Sequence, residues 1–265
     1  MSINSFLGFL AAFGLFVGSI AISTDNFVIF LSFESMLMVV GGTLAATFLG
    51  QEARYVFLAL KGSLTIFKVY RLGRNILNDE VGRIISWGYL AQQKGIVALD
   101  GEAKKVEGDE FLAFAVEQLL SGYSGDEIRE NLSLVADTTF ERSMVPANIL
   151  RGMGGTAPAF GMIGTLVGLI IMLDDMGSDP TQLGKGLAVA LNTTLYGVIL
   201  ARMMLIPAAN KLTQRNQILK FRHELVAEGI SMLADRKNPR YIQDRMNSFL
   251  DPAIRYDIDR QSKNK

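Results

Sequence analysis

The most constraining stretch of the chain is an uncharged run of 17 residues, Ala157 to Leu173, reading APAFGMIGTLVGLIIML. At about 1.5 Å of rise per residue, a helix of this length approaches the ~30 Å hydrocarbon core of a bilayer. Its composition is not that of a plain anchor. Ala157, Gly161, Gly164, Thr165 and Gly168 fall within about 100° of one face, at roughly 100° per residue. Small residues on one face allow two helices to approach closely in lipid, where association rests on van der Waals contact and interhelical hydrogen bonds. Two readings of this face stand side by side. It is a packing groove, or it is a groove in which Thr165 also lines an ion path.

The rest of the composition narrows the class. The chain balances 26 basic against 26 acidic residues, which argues against a nucleic-acid surface, since that would show a basic excess. The charges are unevenly placed: four segments are nearly free of them and the stretches between are dense with them, the pattern of a multi-span membrane protein. Without cysteine there is no disulfide framework, thiolate zinc site or catalytic thiol. The single histidine, His223, lies on a charged, helical-looking stretch and reads as a solvated side chain. No phosphate-binding, zinc-protease, nucleophile-elbow or dinucleotide motif is present, so an enzyme is not expected. Asp174-Asp175 read as solvated acids rather than a metal pair.

In chain order, a first span runs from about Phe6 to Ile22. It reads as a retained span and not a signal peptide, because no basic n-region precedes it and the first Lys or Arg is Arg54. Gly14 and Gly18 form a GxxxG packing step. After the polar break Ser23–Asn26, a second span is expected from Ser35 to Leu49, leaving Glu34 at the interface, where a carboxylate costs less than at the centre. Gly41-Gly42 offers close approach or a bend. From Gln51 to Met153 the chain carries 12 Lys or Arg and amphipathic rows such as Val56-Leu60-Leu64-Phe67 and Phe111-Ala115-Gln118-Leu119. Breaks are expected at Gly101, Gly108 and Gly122–Asp126, and Ser124 with Glu127 predicts a capping box. An acidic loop, Asp174 to Pro180, follows the third span. A fourth span runs from Leu187 to Ile206, and the tail from Ala208 holds another 12 basic residues.

These features define an all-α membrane protein with four transmembrane helices. Its expected divisions are spans one and two in 1–50, a helical domain in 51–153, spans three and four in 154–207, and a tail in 208–265. The positive-inside rule puts the large loop, the tail and both termini in the cytoplasm.

The fourth span matches the third. Gly186, Ala190, Thr194, Gly197 and Ala201 recur at steps of four, four, three and four, forming a second small-residue face, with Thr193 beside it. Asn192 adds a polar group at membrane depth. The hydroxyls can bond back to carbonyls one turn earlier, or the threonines can converge between two small faces. Neither span holds an Asp, Glu or His at its centre, and Arg202 sits near the cytoplasmic end of the fourth. Ion-coupled machines use an ionisable group inside the membrane. If this chain moves ions, a partner brings the carboxylate.

The runs APAFGMIGTLVGLIIML, AVALNTTLYG and IPAANKL, the tail's Arg236-Lys237-Asn238-Pro239-Arg240-Tyr241-Ile242 and the second span's VVGG resemble the A subunit of bacterial flagellar stators. The likeness is strongest to the sodium-driven, PomA-type branch of the MotA/TolQ/ExbB family and covers essentially the whole chain. It implies an inner-membrane protein forming a pentameric ring around a MotB/PomB-type B subunit, which supplies the membrane aspartate. Inward ion flow then turns the ring against the flagellar rotor switch protein and produces the torque behind motility and chemotaxis. Thr165 and Thr194 match hydroxyls flanking the ion path, with Thr193 adjacent; Pro158 and Pro207 match two prolines of conformational coupling. No cofactor is implied beyond the transported ion, sodium in preference to proton, because proton-driven relatives carry alanine or glycine where Thr165 and Thr193 stand. The family presents to the rotor an arginine three residues before a glycine and an acid five residues after it. Here the glycine is Gly95, the acid is Asp100, and Gln92 holds the arginine position, with Lys94 nearby. An acid in the outer part of span two corresponds to Ser32, with Glu34 two residues on. A TolQ/ExbB-like energiser of another envelope process is the alternative that Gln92 supports; a passive scaffold with merely packing threonines is a third.

Overall fold

The structure, a computed structural model, describes residues 3–64, 74–103, 106, 108–174 and 180–257. Among these there is no strand. Phe67 and the acids of 175–179 lie outside the described residues. Three helical stretches are long and apolar enough to cross a membrane, Phe27–Gly50, Gly125–Asp174 and Gly186–Ala234, and Leu7–Ser23 is a shorter apolar helix. The chain divides into two compact units, Met1–Val69 with Ser143–Gln214, and Tyr70–Arg142 with Arg215–Lys265.

The first unit holds α1 (Ile3–Ser23), a 3-10 turn at Phe27–Phe30, α2 (Phe33–Met36), a π-helical stretch Leu37–Gly41, α3 (Gly42–Gly50) and α4 (Ala53–Leu64). The later part of α8 (Gly125–Asp174), α9 (Pro180–Ile199), a second π-helical stretch Leu200–Leu205 and the start of α10 (Ile206–Ala234) complete it. The second span starts earlier than Ser35: the Ser32 hydroxyl accepts from the Ser35 N–H at 3.2 Å, capping a helix that opens at Phe33 with Glu34 in its first turn. A carboxylate there faces the positive end of the helix. Gly42 serves close approach, since the Phe160 ring occupies the space where a side chain would stand. Gly14 and Gly18, expected to pack, have nothing of this chain within 4 Å of a built Cβ position.

Pro158, the second residue of the apolar run, does not stand in a first helical turn: it lies inside the 50-residue helix α8, as does Pro146. The helix continues through Gly152–Gly155 because tertiary contacts hold it: Ile206 fits against Gly154, and Leu150, Met153 and Ala157 share a buried cluster with Ala201, Leu205, Ala208 and Ala209. Pro158 lacks an N–H, so the carbonyl of Gly154 receives no α-helical bond, a local weakness that the packing outweighs. Pro207 is the second residue of α10, directly after the π-helical stretch, and the chain stays helical through it.

The second unit comprises α5 (Arg74–Lys94), a 3-10 turn Ile96–Leu99, α6 (Asp100–Ala103), α7 (Glu110–Leu120), the first part of α8, the later part of α10, and α11 (Pro239–Asn247). Its core is aliphatic, with Ile84, Leu112, Ile128, Leu225, Ile230 and Met246 all buried. The row Phe111-Ala115-Gln118-Leu119 is the buried face of α7. Gly101 lies inside α6 rather than breaking a helix. The capping box forms: the Ser124 N–H donates to Glu127 Oε2 at 2.8 Å, and the Glu127 N–H to the Ser124 hydroxyl at 3.4 Å. Buried among these helices, Arg222 donates from Nε and Nη2 to Glu80 Oε1 at 2.9 and 2.6 Å and also pairs with Asp109. Asp109 in turn caps α7 by accepting from the Leu112 N–H at 3.1 Å. Burial pushes the Asp109 carboxyl up, but the Arg222 hydrogen bond and charge more than offset this and hold it below its ordinary value.

His223 is not solvated. It is 5 % exposed and its ring stacks on Phe111 at 3.9 Å between centroids, 9° from parallel. The local charge pattern misleads because Arg222, its neighbour, is itself buried in the ion group. Burial, then the Arg222 charge, pushes the imidazole down to about 4 from 6.5. Below pH 6.5 the unfolded chain therefore takes up a proton that the folded ring refuses until about pH 4. Stability is full above pH 6.5 and falls as pH drops from 6.5 towards 4. Thermal unfolding midpoints measured across that window should fall, and the fall should be shallower in His223→Phe, which keeps a ring on Phe111 but cannot titrate.

Candidate functional site

The site is built where α8 and α9 lie against each other without intervening side chains. A methyl group added at Gly161 would stand 2.9 Å from the Thr193 carbonyl oxygen and 3.1 Å from the Thr194 Cα. At Gly197 it would stand 2.7 Å from the Ala157 carbonyl oxygen and 3.1 Å from the Pro158 Cα. These are backbone atoms, which cannot rotate aside, so only glycine permits this separation. Gly164 meets the Thr193 side chain, Gly168 meets Ala190, and Gly186 meets Met172. All six expected packing residues thus lie in one antiparallel contact, and Pro158 lies within it against Gly197. The opposite face of α8 is apolar and open, with Met162, Leu166 and Ile170 each at least 60 % exposed.

This approach brings two hydroxyls together. Thr165 Oγ1 and Thr194 Oγ1 are 2.5 Å apart. The Thr165 hydroxyl also reaches the carbonyl oxygens of Gly161 and Ala190, both at 3.0 Å, and the Thr194 hydroxyl reaches that of Gly161 at 3.4 Å. The Ala190 carbonyl also accepts from the Thr193 hydroxyl at 2.7 Å, so three threonine hydroxyls and two carbonyls form one hydrogen-bonded cluster. Hydroxyl and carbonyl oxygens are groups able to replace part of an ion's hydration shell. Thr165 and Thr194 are half-buried, so the cluster is reachable. Thr193 is more deeply placed: it is 1 % exposed, lies under Gly164, and gives its hydroxyl proton to the same Ala190 carbonyl that Thr165 reaches. Among the described residues no group of acids or histidines could hold a metal ion.

A second polar set, of which only Asn192 stands out in the sequence, lies on the same helix as Thr194. On α9, Asn192 Nδ2 donates to the Ile29 carbonyl at 2.7 Å. One turn on, the Tyr196 hydroxyl donates to the Phe30 carbonyl and accepts from the Ser32 N–H, the latter at 3.0 Å. Ser35 donates to the Val189 carbonyl at 3.1 Å. Residues 29–32 are not α-helical and leave backbone groups open, and these side chains satisfy them. The i, i+4 pair of Asn192 and Tyr196 was the available signal. The remaining expected site residues belong to the other compact unit: Gln92 and Lys94 are exposed on the last turn of α5, Gly95 follows at φ 81°, and Asp100 is exposed at the start of α6.

Fold and site together define an all-helical protein with apolar helices of membrane-spanning length, two of them locked through a hydroxyl-bearing small-residue face. The model of the MotA/TolQ/ExbB proton channel family matches residues 103–225. The chain is 30% identical to "Chemotaxis protein PomA" of Vibrio alginolyticus, over 96% of this chain and 98% of that one. It is 32% identical to "Motility protein A" of Aquifex aeolicus, over 92% and 94%. Its fold is similar to a chain of the C. jejuni MotAB structure, with a TM-score of 0.85 and 23% identity over 95% of this chain and 97% of that one. The chain belongs to the MotA/TolQ/ExbB family.

Proposed function

We propose that the chain is the A subunit of a flagellar stator, coupling inward ion flow to torque on the rotor. The observation that carries this reading is the Thr165–Thr194 hydroxyl pair at 2.5 Å, set with two carbonyls in a glycine-lined contact. Neither helix supplies a carboxylate at that depth. Such a face is one wall of an ion path, and a second protein has to complete it with an ionisable group. In this reading the partner is a B subunit whose membrane aspartate carries the ion, and several A chains, five by family resemblance, surround it. Four spans cross the bacterial inner membrane. The 12 basic residues of 51–153 and the 12 of the tail favour a cytoplasmic large loop and cytoplasmic termini. The names of the Vibrio and Aquifex relatives support the motility role.

Sodium is the preferred ion because hydroxyl oxygens can take the place of hydration water, which a proton does not require. The test is complementation of a strain lacking its own stator A subunit, with the cognate B subunit supplied. Swimming should return and its speed should rise with external sodium while the proton gradient is clamped. Swimming indifferent to sodium would contradict the ion assignment, and no swimming at all would contradict the stator reading in favour of another envelope process.

A further inference from the structure

The second unit contains a cleft of about 700 Å³ where the start of α7 meets α8 and α10. Phe114, Val135 and Leu219 give it apolar walls, and Phe114 is 38 % exposed. An apolar cavity of this size with a few convergent polar groups is the ordinary form of a small-molecule site.

Two buried side chains bring polar atoms to this cleft that the protein leaves without partners. His223 is 5 % exposed and stacks on Phe111, yet among the described residues its ring nitrogens form no hydrogen bond. Arg222, 8 % exposed, spends Nε and Nη2 on Glu80 and Asp109, while its Nη1 is bonded to neither. Among the described residues no side-chain nitrogen is both sealed from solvent and unpartnered. These nitrogens therefore open onto the cleft that both residues line. Side chains so deeply placed are normally satisfied, and a bound molecule would supply the missing partner.

The charges around the cleft select the sign of that molecule. Asp109 is occupied by Arg222 and by the Leu112 N–H. Arg142 is exposed and forms no ion pair among the described residues; its guanidinium reaches only the Thr139 hydroxyl, at 3.4 Å. Glu110 is exposed on the rim, where the dielectric of water weakens its charge. At neutral pH the imidazole is uncharged and offers one N–H and one acceptor. Open N–H groups thus outnumber open acceptors within the cleft, and the positive end of α7 adds to them.

We propose that this cleft binds a small aromatic carboxylate, its oxygens received by Arg142 and by the open N–H groups of Arg222 and His223, and its ring resting against Phe114, Val135 and Leu219. Every residue involved lies in the second unit, so binding is independent of the stator reading. A molecule held there joins α7, α8 and α10 and stabilises the unit by mass action.

The test is equilibrium dialysis of 2-naphthoate against the full chain in lipid nanodiscs, with uptake by empty nanodiscs subtracted. Binding should saturate at one site per chain and raise the unfolding midpoint. His223→Phe keeps a ring on Phe111 and removes the nitrogens; it should weaken binding at least about fivefold, the worth of one hydrogen bond. Arg142→Gln, an exposed change that leaves the midpoint of the free chain unaltered, should do the same. Val135→Trp should fill the cleft and abolish binding. The cation 2-naphthylmethylamine, with the same ring and the opposite charge, should not compete. Uptake that does not saturate, equal binding by the wild type and Arg142→Gln, or displacement by the amine would each overturn the proposal.

Discussion

Valine at Gly197 or Gly161 should abolish ion flux while α8 and α9 remain helical. A Cβ at Gly197 meets the Ala157 carbonyl oxygen at 2.7 Å, and one at Gly161 meets that of Thr193 at 2.9 Å. Neither acceptor can move without shifting a helix, so the pair must separate. Overpacking of this kind costs about 1–3 kcal/mol at a well-packed site. The functional loss should be larger than that figure implies, because separation breaks the 2.5 Å contact between Thr165 and Thr194. Ion flux and the unfolding midpoint, measured together in detergent-purified complexes and in vesicles, check this. Gly14→Ala, where nothing of this chain stands within 4 Å, should leave the α8–α9 contact unchanged. Flux at the wild-type level in Gly197→Val would mean that the close contact is dispensable.

Arg222→Met should give the largest loss of stability in the second unit. Glu80 is 3 % exposed and takes both of its bonds to Arg222 on one oxygen, while Asp109 uses the same guanidinium and caps α7. Removing the cation leaves the buried Glu80 carboxylate with only the partly exposed Arg83, which donates to its Oε2 at 3.1 Å, and strips Asp109 of its charge partner. The cost is about 3 kcal/mol, the low end for a broken buried pair. For a unit of this size that lowers the unfolding midpoint by roughly 10 °C. Arg222→Met combined with Glu80→Leu should recover much of the loss, because the cost lies in the stranded charge and not in the absent bond. A double variant as unstable as the single one would place the cost in packing.

The small faces of the two helices were legible because each is a local repeat: Gly161, Gly164 and Gly168 on one, and Ala190, Thr194 and Gly197 on the other, recur at helical spacing whatever lies nearby. Their mutual contact followed from both faces being small. The capping box at Ser124 and Glu127 was legible for the same local reason. What was not legible depends on residues far apart in sequence. Whether α8 runs on through Gly152–Gly155 and Pro158 is decided by Ile206 and the alanines of α10. His223 looked solvated because charge surrounds it in sequence, yet it is buried with its ring stacked on Phe111. Spacing placed Thr194 on the small face and Thr193 about 100° beside it, but not that Thr193 would sit buried under Gly164 while Thr194 meets Thr165.

In the proposed stator, the paired hydroxyls of Thr165 and Thr194 form a working wall of an ion path completed by a partner. The most direct measurement is ion flux through complexes of this chain with its B subunit, comparing wild type with Thr165→Val and Thr194→Val. Valine keeps the threonine shape and removes the oxygen, so the complexes should assemble as the wild type does. Flux should be lost in both variants. Full flux in both, at equal assembly, would show that the threonines only pack and that the ion passes elsewhere.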